Sequence, residues 1–220
     1  INSDAEKKSK ILVIGDVDDH FIFPLASRIG HLSIVLETSD MERNVSYLSL
    51  PSNVSIYKDF IDDDVRSLGD KLEGIVFDYV LIPSLTKKIS NLVGTKLDEI
   101  IKFIAQNYTD DKGKILIAFD NTNAFDIIAG AKVEEELMTF SYADINTFKK
   151  RIAIEYPSSE FKIYYPMPEY RFPLRIYSDR YLPKLEDENA MTRNLISIGK
   201  FSEYCNSYIL YFNCIKDDKS

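Results

Sequence analysis

Five short apolar runs, the first four each followed by a stretch that reads as helical, constrain this chain more than any other feature. They are Lys10–Gly15 (KILVIG), Leu32–Leu36 (LSIVL), Val54–Tyr57, Ile75–Ile82 (IVFDYVLI) and Lys114–Phe119 (KILIAF). Runs this short and this apolar suit strands buried on both faces, as in a parallel sheet. The segments between them read as helices. His20–Ile29 can turn Phe23, Leu25 and Ala26 inward. Ser39 with Glu42 forms a capping box that opens a helix through Tyr47, which Pro51-Ser52-Asn53 ends. Asp62, Asp63 and Asp64 suit the first turn of another helix, where carboxylates complement the dipole. Leu97, Ile100, Ile101, Ile104 and Ala105 recur at helical spacing. Strand and helix alternating at this rhythm predict an α/β fold with helices on both faces of a mostly parallel sheet.

In such a sheet ligands bind outside the carboxyl ends of the strands. The positions that matter are therefore Gly15–Asp19, Glu37, Asp59–Phe60, Pro83–Ser84 and Asp120–Asn121.

Beyond Asn121 the pattern changes. Residues 122–140 read as irregular, Tyr142–Ile152 as a helix capped by Ser141, and Phe161–Tyr165 as a strand. Residues 164–183 carry four prolines and five tyrosines, which forbids a regular helix and suggests a strap along the sheet edge. Glu188–Phe201 reads as a helix and Ser207–Ile215 as a last strand. The expected organisation is one domain over residues 1–220, with a flexible segment at 1–9 and a solvated tail at 216–220. The chain starts at Ile1 rather than Met, as a piece of a longer protein would.

Charge and cysteine content narrow the function classes. A formal net charge of −8 argues against nucleic acid as a partner, because phosphate binding wants a Lys/Arg face. No apolar run approaches the length of a membrane span and no signal peptide is visible, so the cytoplasm is the expected location. Cys205 and Cys214 form no metal-binding pattern and read as structural.

The order of elements resembles the class I S-adenosylmethionine (SAM) methyltransferases, whose sheet has five parallel strands followed by two more, seven in all. The C-terminal half resembles a narrower group. Tyr164-Tyr165-Pro166-Met167-Pro168-Glu169-Tyr170 followed by Ile176–Pro183 (IYSDRYLP) is similar to the "YYPxPDYxxP…IYSDxYLP" segment of bacterial methyltransferase domains linked to glycosyltransferases and surface-polysaccharide biosynthesis. Asp120-Asn121 with Ala129-Gly130-Ala131, and Phe201–Tyr208 (FSEYCNSY), resemble two further stretches of that group.

The resemblance implies a Rossmann-like fold and SAM as cofactor, held by Gly15, Asp16, Glu37, Asp59, Phe60 and Pro83. Glu37 would bind the ribose hydroxyls, Asp59-Phe60 would meet the adenine, and Gly15 would be the cofactor turn. The family's glycine loop is degenerate here. Only Gly15 remains of G-x-G-x-G, with Val17 and Asp19 in place of the other glycines and Val13 in place of the preceding acid. Pro83-Ser84-Leu85-Thr86 departs from the family's pattern after the fourth strand.

Three functional readings stay open. The first is a SAM-dependent enzyme that methylates a hydroxyl of a glycan precursor or nucleotide sugar. The second is an inactive methyltransferase-fold module that binds or scaffolds a glycosyltransferase. The third is a Mg²⁺-dependent phosphatase using Asp16 as nucleophile and Asp18 as acid. His20 is a candidate base or a plain helix-start residue. Tyr165, Tyr170 and Tyr177 can stack on an acceptor, and Arg171, Arg175 and Arg180 can grip an anion, unless all six only build the strap.

Overall fold

The structure, a computed structural model, describes residues 8–37, 43, 45, 48–57, 72–132, 134–184 and 190–215. The parallel part of the sheet comes first in the chain: β1 (Lys10–Ile14), β2 (His31–Val35), β3 (Val54–Tyr57), β4 (Phe77–Ile82) and β5 (Thr109–Asn121). The later strands are β6 (Thr139–Phe140), β7 (Glu160–Met167), β8 (Arg175–Ser178) and β9 (Ser207–Asn213). Their order is β3-β2-β1-β4-β5-β9-β7-β8, with the short β6 beside the end of β5.

β1 pairs in parallel with β2 and β4, β2 with β3, and β4 with β5. β9 runs antiparallel to β5 and β7, and β8 antiparallel to β7. The Rossmann-like expectation therefore holds. The strand count differs, at nine among the described residues rather than seven. The two extra strands come from segments read as irregular: β6 from the 122–140 stretch and β8 from the strap.

The helices are α1 (Asp19–Ala26), α2 (Lys87–Val93), α3 (Leu97–Asn107), α4 (Phe125–Ile128), α5 (Tyr142–Glu155), α6 (Ala190–Ser197) and α7 (Phe201–Tyr204). α3 has the stripe expected of it, with Leu97, Ile100, Ile101, Ile104 and Ala105 all buried. α5 is capped by Ser141, as its sequence foretells, and the structure adds Asp144 to form a capping box. α1 buries Ala26 and packs Leu25 against the core, as read from sequence, but Ile22 is the other buried residue and Phe23 is exposed. The Ser39-to-Tyr47 capping box and the Asp62–Asp64 helix start lie, wholly or in part, outside the described residues, as do residues 185–189.

β5 begins five residues earlier than its apolar run. The register jumps from Phe77↔Thr109 to Tyr79↔Lys114, so residues 110–113 loop out of the ladder. Glycine is required at the end of that loop, because a Cβ on Gly113 would lie 2.1 Å from the Cβ of Thr109.

The two faces of the sheet build two cores. Leu12, Ile14, Val80, Ile117 and Phe212 pack under α2, α3 and α5. Ile11, Val13, Leu32 and Ile34 pack under α1. Helices thus lie on both faces, but unequally. On the α1 side, half-buried Leu116, Ile209 and Tyr211 belong to neither cluster. Lys114 lies over the ring of Tyr79 and Lys162 over that of Tyr211. Among the described residues no helix is long and apolar enough to cross a membrane.

Candidate functional site

Two neighbouring regions at the carboxyl ends of the strands carry the polar residues read from sequence. The first is at β1. Leaving β1, the chain turns at Gly15, whose φ of +124° is open to glycine and strained for other residues. Its N–H donates to the Val35 carbonyl at 2.9 Å. Asp16 follows, and its Oδ1 accepts the Glu37 N–H at 2.8 Å. The acid therefore ties the end of β1 to the end of β2.

Val17, which the resemblance sets in place of a glycine, turns into the core. It is 6 % exposed and packs with Ile11, Val13 and Ile22. Asp18 caps α1 by accepting the Phe21 N–H at 3.1 Å, and Asp19 opens that helix. The His20 side chain is 91 % exposed beside Asp19.

Glu37 is buried, at 8 % exposure. Its Oε1 accepts the Thr86 hydroxyl at 2.7 Å, and its carbonyl accepts from Lys88 Nζ at 3.3 Å. Thr86 in turn caps α2 by accepting the Ile89 N–H at 3.1 Å. Thr86 follows β4 and Glu37 follows β2, while β1 lies between those strands. The hydrogen bond therefore passes over the carboxyl end of β1. Burial raises the Glu37 carboxyl above its usual value. The Thr86 hydrogen bond and Lys88 oppose the shift, while Asp16 and Glu136 add to it.

The space above Gly15 is taken as well. A Cβ built there would lie 3.3 Å from Ile89 Cδ1, 3.9 Å from the Ser84 carbonyl and 4.0 Å from Pro83 Cδ. Gly15, Asp16, Glu37 and Pro83 are thus brought together at one strand end. The chain's own Thr86 and Lys88 reach Glu37, and Ile89 of α2 approaches Gly15. Asp59 and Phe60 lie outside the described residues. Nor do Asp16 and Asp18 converge on one point, since each is committed to a different backbone N–H.

The second region is at β5. Asn121 is fully buried, and its amide donates to the carbonyls of Glu203 and Cys205 at 2.8 and 2.7 Å. Asp120 is instead turned toward the strap, where Arg171 Nη2 donates to its Oδ2 at 3.0 Å. Arg171 Nη1 reaches Glu134 at 3.1 Å and Glu169 at 3.5 Å, and its guanidinium lies 5.2 Å from the centre of the Tyr170 ring. Burial raises the Asp120 carboxyl; Arg171 opposes this, and Glu169 and Glu134 reinforce it.

Tyr170 is tied down twice, by its hydroxyl sharing a 2.7 Å hydrogen bond with Ser84 and by its N–H donating to Ser207 Oγ at 3.0 Å. The strap thus spans the ends of β4 and β5. Tyr165 is fully buried, its hydroxyl bonded to Asp179, and Tyr177 packs against Phe201. Both are strap and core residues. The cysteines read as structural are buried and form no disulfide, and desolvation pushes the Cys205 thiol up to about 12.

Beside Arg171 opens a cleft of about 350 Å³, lined by residues of the 120–137 segment, the Pro168–Arg171 turn and Asn206. Sequence reasoning named Asp120 and Arg171 separately but not the cleft. Of its acid partners only Glu169 lies near Arg171 in the chain, so no local signal joins Arg171 to Asp120 and Glu134, which are 51 and 37 residues away.

Comparison with solved structures gives the fold. The chain is similar to a SAM dependent methyltransferase from Archaeoglobus fulgidus, with a TM-score of 0.54 and 12 % identity over 94 % of this chain and 87 % of that one. It is similar to the plantazolicin methyltransferase BpumL in complex with SAH (TM-score 0.55, 10 % identity, 94 % of this chain and 76 % of that one). A third is the plantazolicin methyltransferase BamL, in complex with SAH and a triazolic desmethylPZN analog (TM-score 0.55, 14 % identity, 94 % and 77 %). The chain has the Rossmann-like fold of class I SAM-dependent methyltransferases. No family model matches the sequence, and no curated protein matches it.

Proposed function

We propose that this domain is a methyltransferase-fold binding module whose cofactor crevice is closed by its own side chains. One observation carries the reading: the Thr86–Glu37 hydrogen bond laid across the carboxyl end of β1. The acid that the resemblance assigns to ribose already holds a partner, and Ile89 Cδ1 would lie only 3.3 Å from a Cβ on Gly15. A fold supports many functions, so likeness to methyltransferases does not by itself bring their chemistry. The glycosyltransferase partner implied by the C-terminal resemblance belongs to this reading.

The competing reading is a SAM-dependent enzyme acting on a glycan hydroxyl. It is favoured by the positive φ of Gly15 and by the place of Glu37 at the end of β2. Transfer there would rest on proximity and orientation, and no base is assigned. Isothermal titration of the domain with SAM and with S-adenosylhomocysteine separates the two. The module gives no heat at millimolar ligand. Micromolar binding, about −8 kcal/mol, would overturn it in favour of the enzyme.

A further inference from the structure

The cleft beside Arg171 has a composition that selects its ligand. Ala124, Ile127, Ala131, Leu137 and Pro168 give it an apolar wall. Against that wall stand Asp120, Asp126, Glu134 and Glu169, with Lys132 and Arg171 as the cations among its described lining residues. Four carboxylates against two cations leave two negative charges in excess.

Arg171 is not free to receive an anion. Its two terminal nitrogens are held by Asp120, Glu134 and Glu169 at 3.0, 3.1 and 3.5 Å. Asp126 is oriented by the Asn206 amide, which donates to it at 2.6 Å. The Asp120 side chain is 17 % exposed, so its charge is only weakly screened by water.

We propose that this cleft binds a small organic cation, a primary ammonium carried on a short apolar body. The ammonium completes the charge balance that Arg171 begins, and the body covers Ile127 and Leu137. The volume is at the small end of ligand clefts, which suits a body of a few carbons. Phosphate and nucleotide ligands are disfavoured by the same excess of carboxylates, which weighs against a nucleotide-sugar occupant. The inference does not rest on the closed crevice at β1, and either outcome of a SAM titration leaves it standing.

The test uses three probes of one shape: n-pentylammonium, 1-pentanol and pentanoate, titrated into the whole chain and followed by calorimetry and by amide and methyl NMR. The ammonium saturates and shifts the signals of Ala124, Ile127, Ala131 and Leu137. Pentanol binds at least about tenfold more weakly, and pentanoate does not bind. The rim variant Glu134→Gln with Glu169→Gln keeps the melting temperature and weakens ammonium binding by about tenfold or more. Should that variant fail to fold, the three-probe comparison on the unaltered chain decides alone. Equal binding of pentanol or pentanoate, shifts outside the cleft, or no saturation by ~50 mM ammonium overturns the proposal.

Discussion

The carboxyl ends of β1 and β5 belong to one sheet with one topology, and they present opposite surfaces. At β1, polar and apolar side chains meet across the strand: Thr86 bonds to Glu37, Asp16 takes the Glu37 N–H, and Ile89 sits against Gly15. At β5, Arg171 of the strap is paired with Asp120 and Glu134, and a cleft opens beside it. The backbone rule that ligands gather at strand ends marks both places. What separates them is the reach of the side chains. Only four residues, Pro83–Thr86, separate β4 from α2, short enough for Thr86 to reach across β1 to Glu37. The segment between Asn121 and Thr139 is longer, turns once through α4, and meets the strap through Glu134 and Arg171, with the cleft beside them.

Three experiments break or sharpen this contrast. The largest effect belongs to Ile89→Ala. Ile89 is fully buried and touches the site of Gly15, so truncation costs about 2–4 kcal/mol in urea unfolding. The same variant opens the crevice, and a gain of SAM binding would identify closure as the only obstacle at β1. A loss below about 1 kcal/mol would mean that Ile89 does not fill that space.

Next is Thr86→Val, which keeps the shape and removes the hydroxyl shared by Glu37 and the Ile89 N–H. The expected loss is about 1–2 kcal/mol, from the missing cap and the stranded carboxylate. A neutral result would show that the bridge over β1 is not holding the two strands.

The smallest effect is a pH dependence. Glu37 has a folded-state value raised above 4.5, mainly by burial, so the folded chain holds this proton more tightly than the unfolded one. Its contribution favours folding at acid pH and is lost as pH climbs from the ordinary value through the raised one. Glu37→Gln keeps an oxygen for Thr86 and no longer titrates. Chemical denaturation across this range should show wild type losing stability relative to the variant as pH rises. Parallel curves would mean that Glu37 is not desolvated.

Much of the architecture was legible in the sequence. The strand–helix alternation up to β5, the α3 stripe and the Ser141 cap follow from periods and capping chemistry that act within a few residues. Boundaries went astray where long-range pairing overrode local pattern. β8 lies in a proline-rich strap that reads as irregular, and it forms because β7 offers an antiparallel edge. β5 gains its early start from a single pairing of Thr109 with Phe77. Local sequence likewise placed Gly15, Asp16, Glu37 and Pro83 at strand ends, since each follows an apolar run.

The sequence by itself determined the order of elements and the acids that lie outside the sheet, because periodicity and the backbone needs of glycine are local properties. Only the tertiary structure decided which of those acids are spent on the protein and which border open space. That choice depends on contacts such as Thr86 to Glu37, 49 residues apart, and Arg171 to Asp120, 51 apart. Side chains that far apart in the chain meet only when the sheet brings β2, β4, β5 and the strap side by side. Val17 makes the same point on a smaller scale. The resemblance sets it where a glycine would stand; in the fold its side chain turns into the core under α1, while Ile89 of α2, in the other core, approaches Gly15.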